Sequence, residues 1–351
     1  MTAIAPFPAL INGLGASTPV GRSAWASAAA VRSGITGFVR HPYMVDTAGE
    51  PMRVAIAPWL DIGLQGADRL AALLLPAMEE ALAGLPAPVP ADRFALALGL
   101  PSARPGLPPD VAGALLQRVH QRWGGLFGRQ ATFEAGHAAG LLALQAACQQ
   151  LNEGRLDACL VAGVDSWIAP ATLEWLEAQD QLHGAGPLNN AWGFIPGEGA
   201  GALLLLREGA GNLPAPQALA RVLGVGQAHE PKRIKTQTVC IGEGLTSAFQ
   251  AALQAVPASA RVTDIYCDMN GEPYRADEFG FTALRTGEHF ESASDFVAPA
   301  DCWGDMGAAG GPLHVLLACV AAHKGYANGP LAFVWSSAET GERAAALLAC
   351  G

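Results

Sequence analysis

Residues 138–152 form an alanine- and leucine-rich stretch with helical spacing, and after the Glu153-Gly154 turn the run 158–164 (Ala-Cys-Leu-Val-Ala-Gly-Val) is apolar at every position. A strand without a polar face is covered on both sides, and a helix feeding such a strand is the unit of a parallel sheet held between helix layers. That pairing argues for an α/β layered fold over a sandwich of antiparallel strands or a helical bundle.

The rest of the chain keeps the same alternation. Residues 8–15 (Pro-Ala-Leu-Ile-Asn-Gly-Leu-Gly) read as a strand ending in a glycine turn, and Arg22 to Ser33 as a helix. A second helix is expected over 69–84, a buried strand over Arg93–Leu100 and a helix over Val111–Trp123. The stretch Arg207 to Pro216 is rich in Gly and Pro and breaks the pattern. After it the pattern restarts: Ala220 to Gly226 resembles the first strand with its Gly13-Leu-Gly15 end. Gly136-His-Ala-Ala-Gly140 is likewise echoed by Gly304-Asp-Met-Gly-Ala-Ala-Gly310, each opening an alanine-rich helix. The two echoes point to an internally duplicated α/β fold with halves at 1–210 and 217–351.

Composition narrows the function. Hydrophobic residues are 51% and charged residues 15% of the 351 positions, so extensive burial in layers or at a subunit interface is expected instead of disorder. A formal charge of -10 with only Lys232, Lys235 and Lys324 as lysines argues against nucleic acid and anionic membranes as partners. The seven cysteines include no CxxC pair and mostly sit in apolar runs, as small core residues do. Residues 1–6 lack the basic head of a signal peptide, and Leu313 to Ala322 is about half the length that spans a bilayer. A soluble, cytoplasmic protein is expected. Gly13-Leu-Gly15 has Thr18 where a dinucleotide-binding turn needs its third glycine, so no cofactor is expected there.

Several segments carry a family resemblance. Asn12-Gly-Leu-Gly-Ala-Ser-Thr-Pro-Val-Gly21, Ser33-Gly-Ile-Thr-Gly37, Gly154-Arg-Leu-Asp-Ala-Cys-Leu-Val-Ala-Gly163 and Gly193-Phe-Ile-Pro-Gly-Glu-Gly-Ala-Gly201, with Pro187, resemble the β-ketoacyl-acyl-carrier-protein synthases. The match spans residues 8–210 and is looser at 264–278 and 301–334. The resemblance implies a thiolase-like fold of two duplicated halves in a five-layer αβαβα arrangement.

It also implies a site. Condensing enzymes place a cysteine at a helix amino terminus, where backbone N–H groups favour the thiolate, and use two histidines in decarboxylation. Here the nucleophile position falls on His137, in Phe133-Glu-Ala-Gly-His137-Ala-Ala-Gly140. Asn270 stands at the first histidine position, in Cys267-Asp-Met-Asn-Gly-Glu272, and Asp305 at the second. The family's glycine-rich, Phe-containing loop is replaced by Phe333-Val-Trp-Ser-Ser-Ala-Glu-Thr-Gly341. The resemblance therefore implies a member without its catalytic residues.

The residues leave other chemistry open. His137 at a helix amino terminus is expected to stay neutral, and a neutral imidazole beside Glu134 or Asp305 is a general base. Cys302 is a candidate relocated nucleophile. Against these stand plain structural roles, with Cys302 packed beside Trp303 and with Glu134 and Asp305 as helix caps. A metal on His137, Asp305 and Glu272 has no recognisable ligand spacing and is not expected.

Two functions follow from the resemblance. The first is a binding, scaffold or partner subunit in the manner of chain-length factors, paired as a homodimer or as a heterodimer with a synthase-like subunit. An adaptor or chaperone for a secreted effector, as in type VI secretion clusters, is a variant of it. The second is an acyltransferase, decarboxylase or thioester hydrolase with a rearranged site. An acyl carrier protein is a candidate partner, and the basic run Lys232-Arg-Ile-Lys235 is a candidate docking patch for it.

Overall fold

A computed structural model describes residues 9–210, 218–233, 236 and 238–351. Most of the 207–216 break, together with Ile234 and Lys235 of the basic run, lies outside the described residues.

The chain runs β1 (Ala9–Ser17), α1 (Ala24–Arg32), the hairpin β2 (Phe38–Val45) and β3 (Pro51–Ala55), then α2 (Gly66–Leu82), β4 (Phe94–Leu100) and α3 (Val111–Trp123). It continues through β5 (Arg129–Glu134), α4 (Ala139–Asn152), β6 (Ala158–Ser166), α5 (Pro170–Ala178) and β7 (Glu198–Arg207). After the break come β8 (Ala220–His229), α6 (Glu243–Leu253), β9 (Asp264–Cys267), α7 (Pro273–Thr286), α8 (Ala300–Trp303), α9 (Gly310–His323), β10 (Leu331–Ser337) and β11 (Glu342–Cys350).

The elements expected from the sequence lie close to their expected positions, but β1 and β8 run on past Gly15 and Gly226 instead of turning there, and β6 is longer than expected. It runs two residues past Val164, through Asp165 and Ser166, both buried. Polar residues extend an apolar strand here because each has partners: Asp165 takes Arg104 and the Ala308 N–H, and Ser166 donates to Glu198.

Nine strands form one sheet in the order β5-β4-β6-β7-β1-β8-β11-β10-β9. Its middle is thin, because β1 and β8 pair only at Leu10↔Arg221 and Ile11↔Ala220. Outward from that seam the strands run β1-β7-β6-β4-β5 on one side and β8-β11-β10-β9 on the other. First, last, penultimate and second strands of each half thus take matching places. The counterpart of β5 is reduced to Val297, which donates to Ile265 O and accepts from the Cys267 N–H. We propose this seam as the boundary between the halves 1–210 and 217–351.

Helices complete five layers. α2 packs on β1, β6 and β7 with α3 outside it, α6 packs on β8 and β11 beside α7, and α4 and α9 lie together between the half-sheets. The central layer is tight because α4 carries glycine where α9 approaches: a Cβ at Gly140 would stand 2.2 Å from Pro312 Cδ. α9 is buried along almost its whole length, which its uniformly apolar sequence requires. No helix among the described residues is long and apolar enough to cross a membrane.

Candidate functional site

The sequence echo at 136–140 and 304–310 is a pair of matching turns. Gly136 and Gly307 adopt φ of +52° and +47°, a backbone that favours glycine, and each begins a 3₁₀ turn leading into α4 or α9. Because the two helices lie side by side, the turns bring His137 and Asp305 together across 168 residues of chain. Asn270 joins them from the loop between β9 and α7.

His137 Nε2 lies 2.8 Å from Asp305 Oδ1 and 2.9 Å from Oδ2. Asp305 also accepts from Asn270 Nδ2 at 2.7 Å, the Gly307 N–H at 2.8 Å and Trp167 Nε1 at 3.2 Å. Asn270 Nδ2 donates to Glu272 as well, and Glu272 accepts from Gln181. Arg275, buried in the same cluster, places Nη2 3.3 Å from His137 Nε2, and its Nη1 donates to Asp268 and to Ser337 O, each at 2.9 Å. Asp268 in turn accepts the Ser337 N–H. The residues at the place of the family's Phe-containing loop are thus tied down by Arg275 and Asp268.

Electrostatics follow from this packing. For Asp305, burial pushes the carboxyl up, but His137, Arg275 and Asn270 together hold it well below the usual carboxylate range. For His137, burial pulls the imidazole down, yet the Asp305 carboxylate outweighs both burial and Arg275, so its pKa is raised. The carboxylate in direct contact thus opposes the helix dipole, which by itself favours the neutral imidazole. His314, one turn into α9, is buried with Nδ1 unpartnered, and burial pulls its pKa down to about 4.

Little space remains. A cavity of about 10 Å³ is lined by His137, Cys267, Asp268, Asp305, Gly307 and His314 among others, which is the size of a single water. Cys267 is the thiol on that wall; its Sγ donates to Val297 O and burial raises its pKa, so the thiolate is disfavoured.

Of the residues singled out in the sequence, His137, Asn270 and Asp305 come together. Glu134 does not: it ends β5 exposed, and among the described residues nothing hydrogen-bonds to its carboxylate, so it neither caps a helix nor reaches His137. Cys302 sits apart, its Sγ facing Val31 O, with burial raising its pKa. Glu272 is separated from Asp305 by the bridging Asn270 amide, and Arg275 fills the space a metal on His137 and Asp305 would need. Sequence reasoning missed Arg275, Asp268 and Trp167. Asp268 lies within the quoted Cys267–Glu272 segment and Arg275 three residues after it, where Arg275 is the one basic residue among the acidic side chains of 264–278.

Three solved structures are similar to the chain over nearly its whole length. The ishigamide ketosynthase/chain length factor matches at 23% identity with a TM-score of 0.68, over 97% of this chain and 99% of that one. A type II polyketide synthase acyl-carrier protein in complex with its ketosynthase bound to the hexaketide (AntDE:AntF) matches at 16% and 0.80, over 99% and 100%. The ketosynthase from module 6 of the bacillaene synthase of Bacillus subtilis 168 matches at 15% and 0.74, over 98% and 72%. The chain has the thiolase-like ketosynthase fold. Residues 117–210 also match the family model of the β-ketoacyl synthase N-terminal domain. No curated protein matches the chain by sequence. In this ketosynthase-like chain the His137–Asp305–Arg275 cluster lies where the two central helices begin.

Proposed function

We propose that this ketosynthase-like chain acts by binding, as a non-catalytic partner subunit of the chain-length-factor kind. The observation that carries the reading is the filled cluster at His137. Its one nitrogen in contact with Asp305 is committed to that carboxylate, the neighbouring Arg275 is committed to Asp268 and Ser337, and about 10 Å³ is left beside them. An acyl thioester needs a nucleophile, an oxyanion-binding pair and room for the chain. The cluster holds no thiol whose thiolate is favoured and little room for a chain, and the polar groups it leaves unpartnered, Asp268 Oδ1 and His314 Nδ1, are a carboxylate oxygen and a ring nitrogen, not an oxyanion-binding pair. Cys302, turned toward Val31 O with a raised pKa, supports the same reading over a relocated nucleophile.

The partner surface is the outer edge of β5. Arg129, Gln130 and Ala131 are exposed there, and β5 pairs with β4 on one side only. An unpaired strand edge with its N–H and C=O row exposed is a template for a second chain. Such an edge supports a homodimer, or a heterodimer with a synthase-like subunit as in a ketosynthase/chain length factor pair. An acyl carrier protein would then be a partner of the assembled pair. Co-expression with a ketosynthase followed by light scattering tests this. A stable one-to-one complex or a homodimer is expected; a monomer under both conditions would contradict it.

A further inference from the structure

A second cavity, of about 140 Å³, shares no lining residue with the one at His137. It opens between the β2–β3 hairpin, the start of α2 and the segment entering α5. Its wall is largely apolar, with Met44, Ile62, Leu64, Leu70, Leu107 and Ile168. One buried polar side chain on it is unspent. His41 is 6% exposed, and its Nδ1 accepts the backbone N–H groups of Tyr43 at 3.2 Å and Met44 at 3.0 Å. Two donors aimed at Nδ1 require a lone pair there, so the neutral ring carries its proton on Nε2. Nε2 has no partner among the described residues and keeps some accessible surface. Burial, and then the Arg69 guanidinium, lower the His41 pKa, so the ring stays a neutral donor.

The other buried polar groups on or beside the wall are satisfied. Arg69 makes a two-bond ion pair with Glu198 and donates to Asp61 O and Leu64 O, and Ser166 donates to Glu198. Charge at the cavity is therefore balanced, and with Gln65 and Tyr43 exposed at its rim, what remains unmet in the buried wall is one N–H donor. An ionised ligand would lose its hydration without gaining a free counter-charge. A neutral acceptor would gain a hydrogen bond and bury apolar surface.

We infer that this cavity binds a small uncharged molecule bearing a carbonyl oxygen, received by His41 Nε2–H, with about six to eight non-hydrogen atoms, since a cavity of about 150 Å³ takes up benzene. The site is independent of the partner-subunit reading, because it concerns residues that neither β5 nor the His137 cluster contains.

The test uses the full chain labelled with ¹⁵N-histidine and two probes of similar size, cyclohexanone and cyclohexene, titrated by NMR. Cyclohexanone is expected to shift the His41 Nε2 resonance to saturation and to bind roughly tenfold more tightly than cyclohexene, as one hydrogen bond allows. His41→Asn keeps an acceptor for the Tyr43 and Met44 N–H groups but takes the donor away from the Nε2 position, and should cost cyclohexanone roughly that same factor while leaving cyclohexene unchanged. Leu107→Phe, which fills the half-buried side of the cavity, should weaken both probes. Equal affinity for the two probes, no saturation, or cyclohexanone binding unchanged in both variants would overturn the assignment.

Discussion

His137 and Asp305 meet through a single ring nitrogen, with Nε2 between the two carboxylate oxygens at 2.8 and 2.9 Å. In hydrolases built on Ser, His and Asp the carboxylate holds Nδ1 and leaves Nε2 facing the nucleophile. Here the carboxylate takes Nε2, and the Arg275 guanidinium stands against the same atom. The pair is a buried imidazole–carboxylate contact inside a larger polar cluster, which is costly to disrupt one partner at a time.

Restoring the family's residue is therefore not expected to restore its chemistry. His137→Cys would place a thiol in a buried site against the Asp305 carboxylate, both of which disfavour the thiolate. The variant should fail to acquire an acyl group from acyl-thioesters in an intact-mass measurement. Removing the imidazole also leaves Asp305 short of a partner, and stability should fall by about 3 kcal/mol or more. Urea denaturation reads that loss.

Stability should peak near pH 6.5 and fall on both sides. His137 has a raised pKa, so its contribution is complete below the unfolded value of about 6.5 and is lost as pH rises through the folded value. His314 has a lowered pKa of about 4, so its cost enters as pH falls from the unfolded value toward 4. His41, also lowered, adds to that acid limb. Asp305 is depressed, so its contribution holds above the unfolded carboxylate value and is lost only in stronger acid. His314→Leu should flatten the limb between pH 6.5 and 4 by up to about 3 kcal/mol, read by urea denaturation across that range.

Gly140→Ala tests the central layer. The added methyl would meet Pro312 Cδ at 2.2 Å, forcing α4 and α9 apart at the turns that carry His137 and Asp305. Overpacking of this kind costs about 1–3 kcal/mol. Thermal unfolding should show the loss, and the His137 ring resonances should move with it.

Ala131→Asp tests the β5 edge. Ala131 is exposed in the single chain, so the fold should keep its stability within about 0.5 kcal/mol. An assembly through this edge would bury the new charge, and light scattering should then report a monomer.

Much of the fold was legible because its strands are buried on both faces. Residues 158–164 and 93–100 could be nothing but central strands, and the 136–140 and 304–310 echo marked two equivalent turns. The site was partly legible. The resemblance pointed to His137, Asn270 and Asp305, and these do converge. What pattern could not give was the contact that decides their state. Arg275 reaches His137 from 138 residues away in sequence, and Trp167 reaches Asp305 from an equal separation. Glu134 misled for the converse reason: three residues from His137 in sequence, it lies exposed at the end of the edge strand β5.

The most direct test is the intact mass of the purified chain, alone and with its assembled partner, after incubation with acyl- and malonyl-thioesters of coenzyme A and of carrier protein. An unchanged mass, with the thioesters left intact in the isolated chain, is the expected result. A stable mass gain at one residue, lost in His137→Ala or Cys302→Ala, would contradict the filled-site account and make this chain an acyl-transfer enzyme.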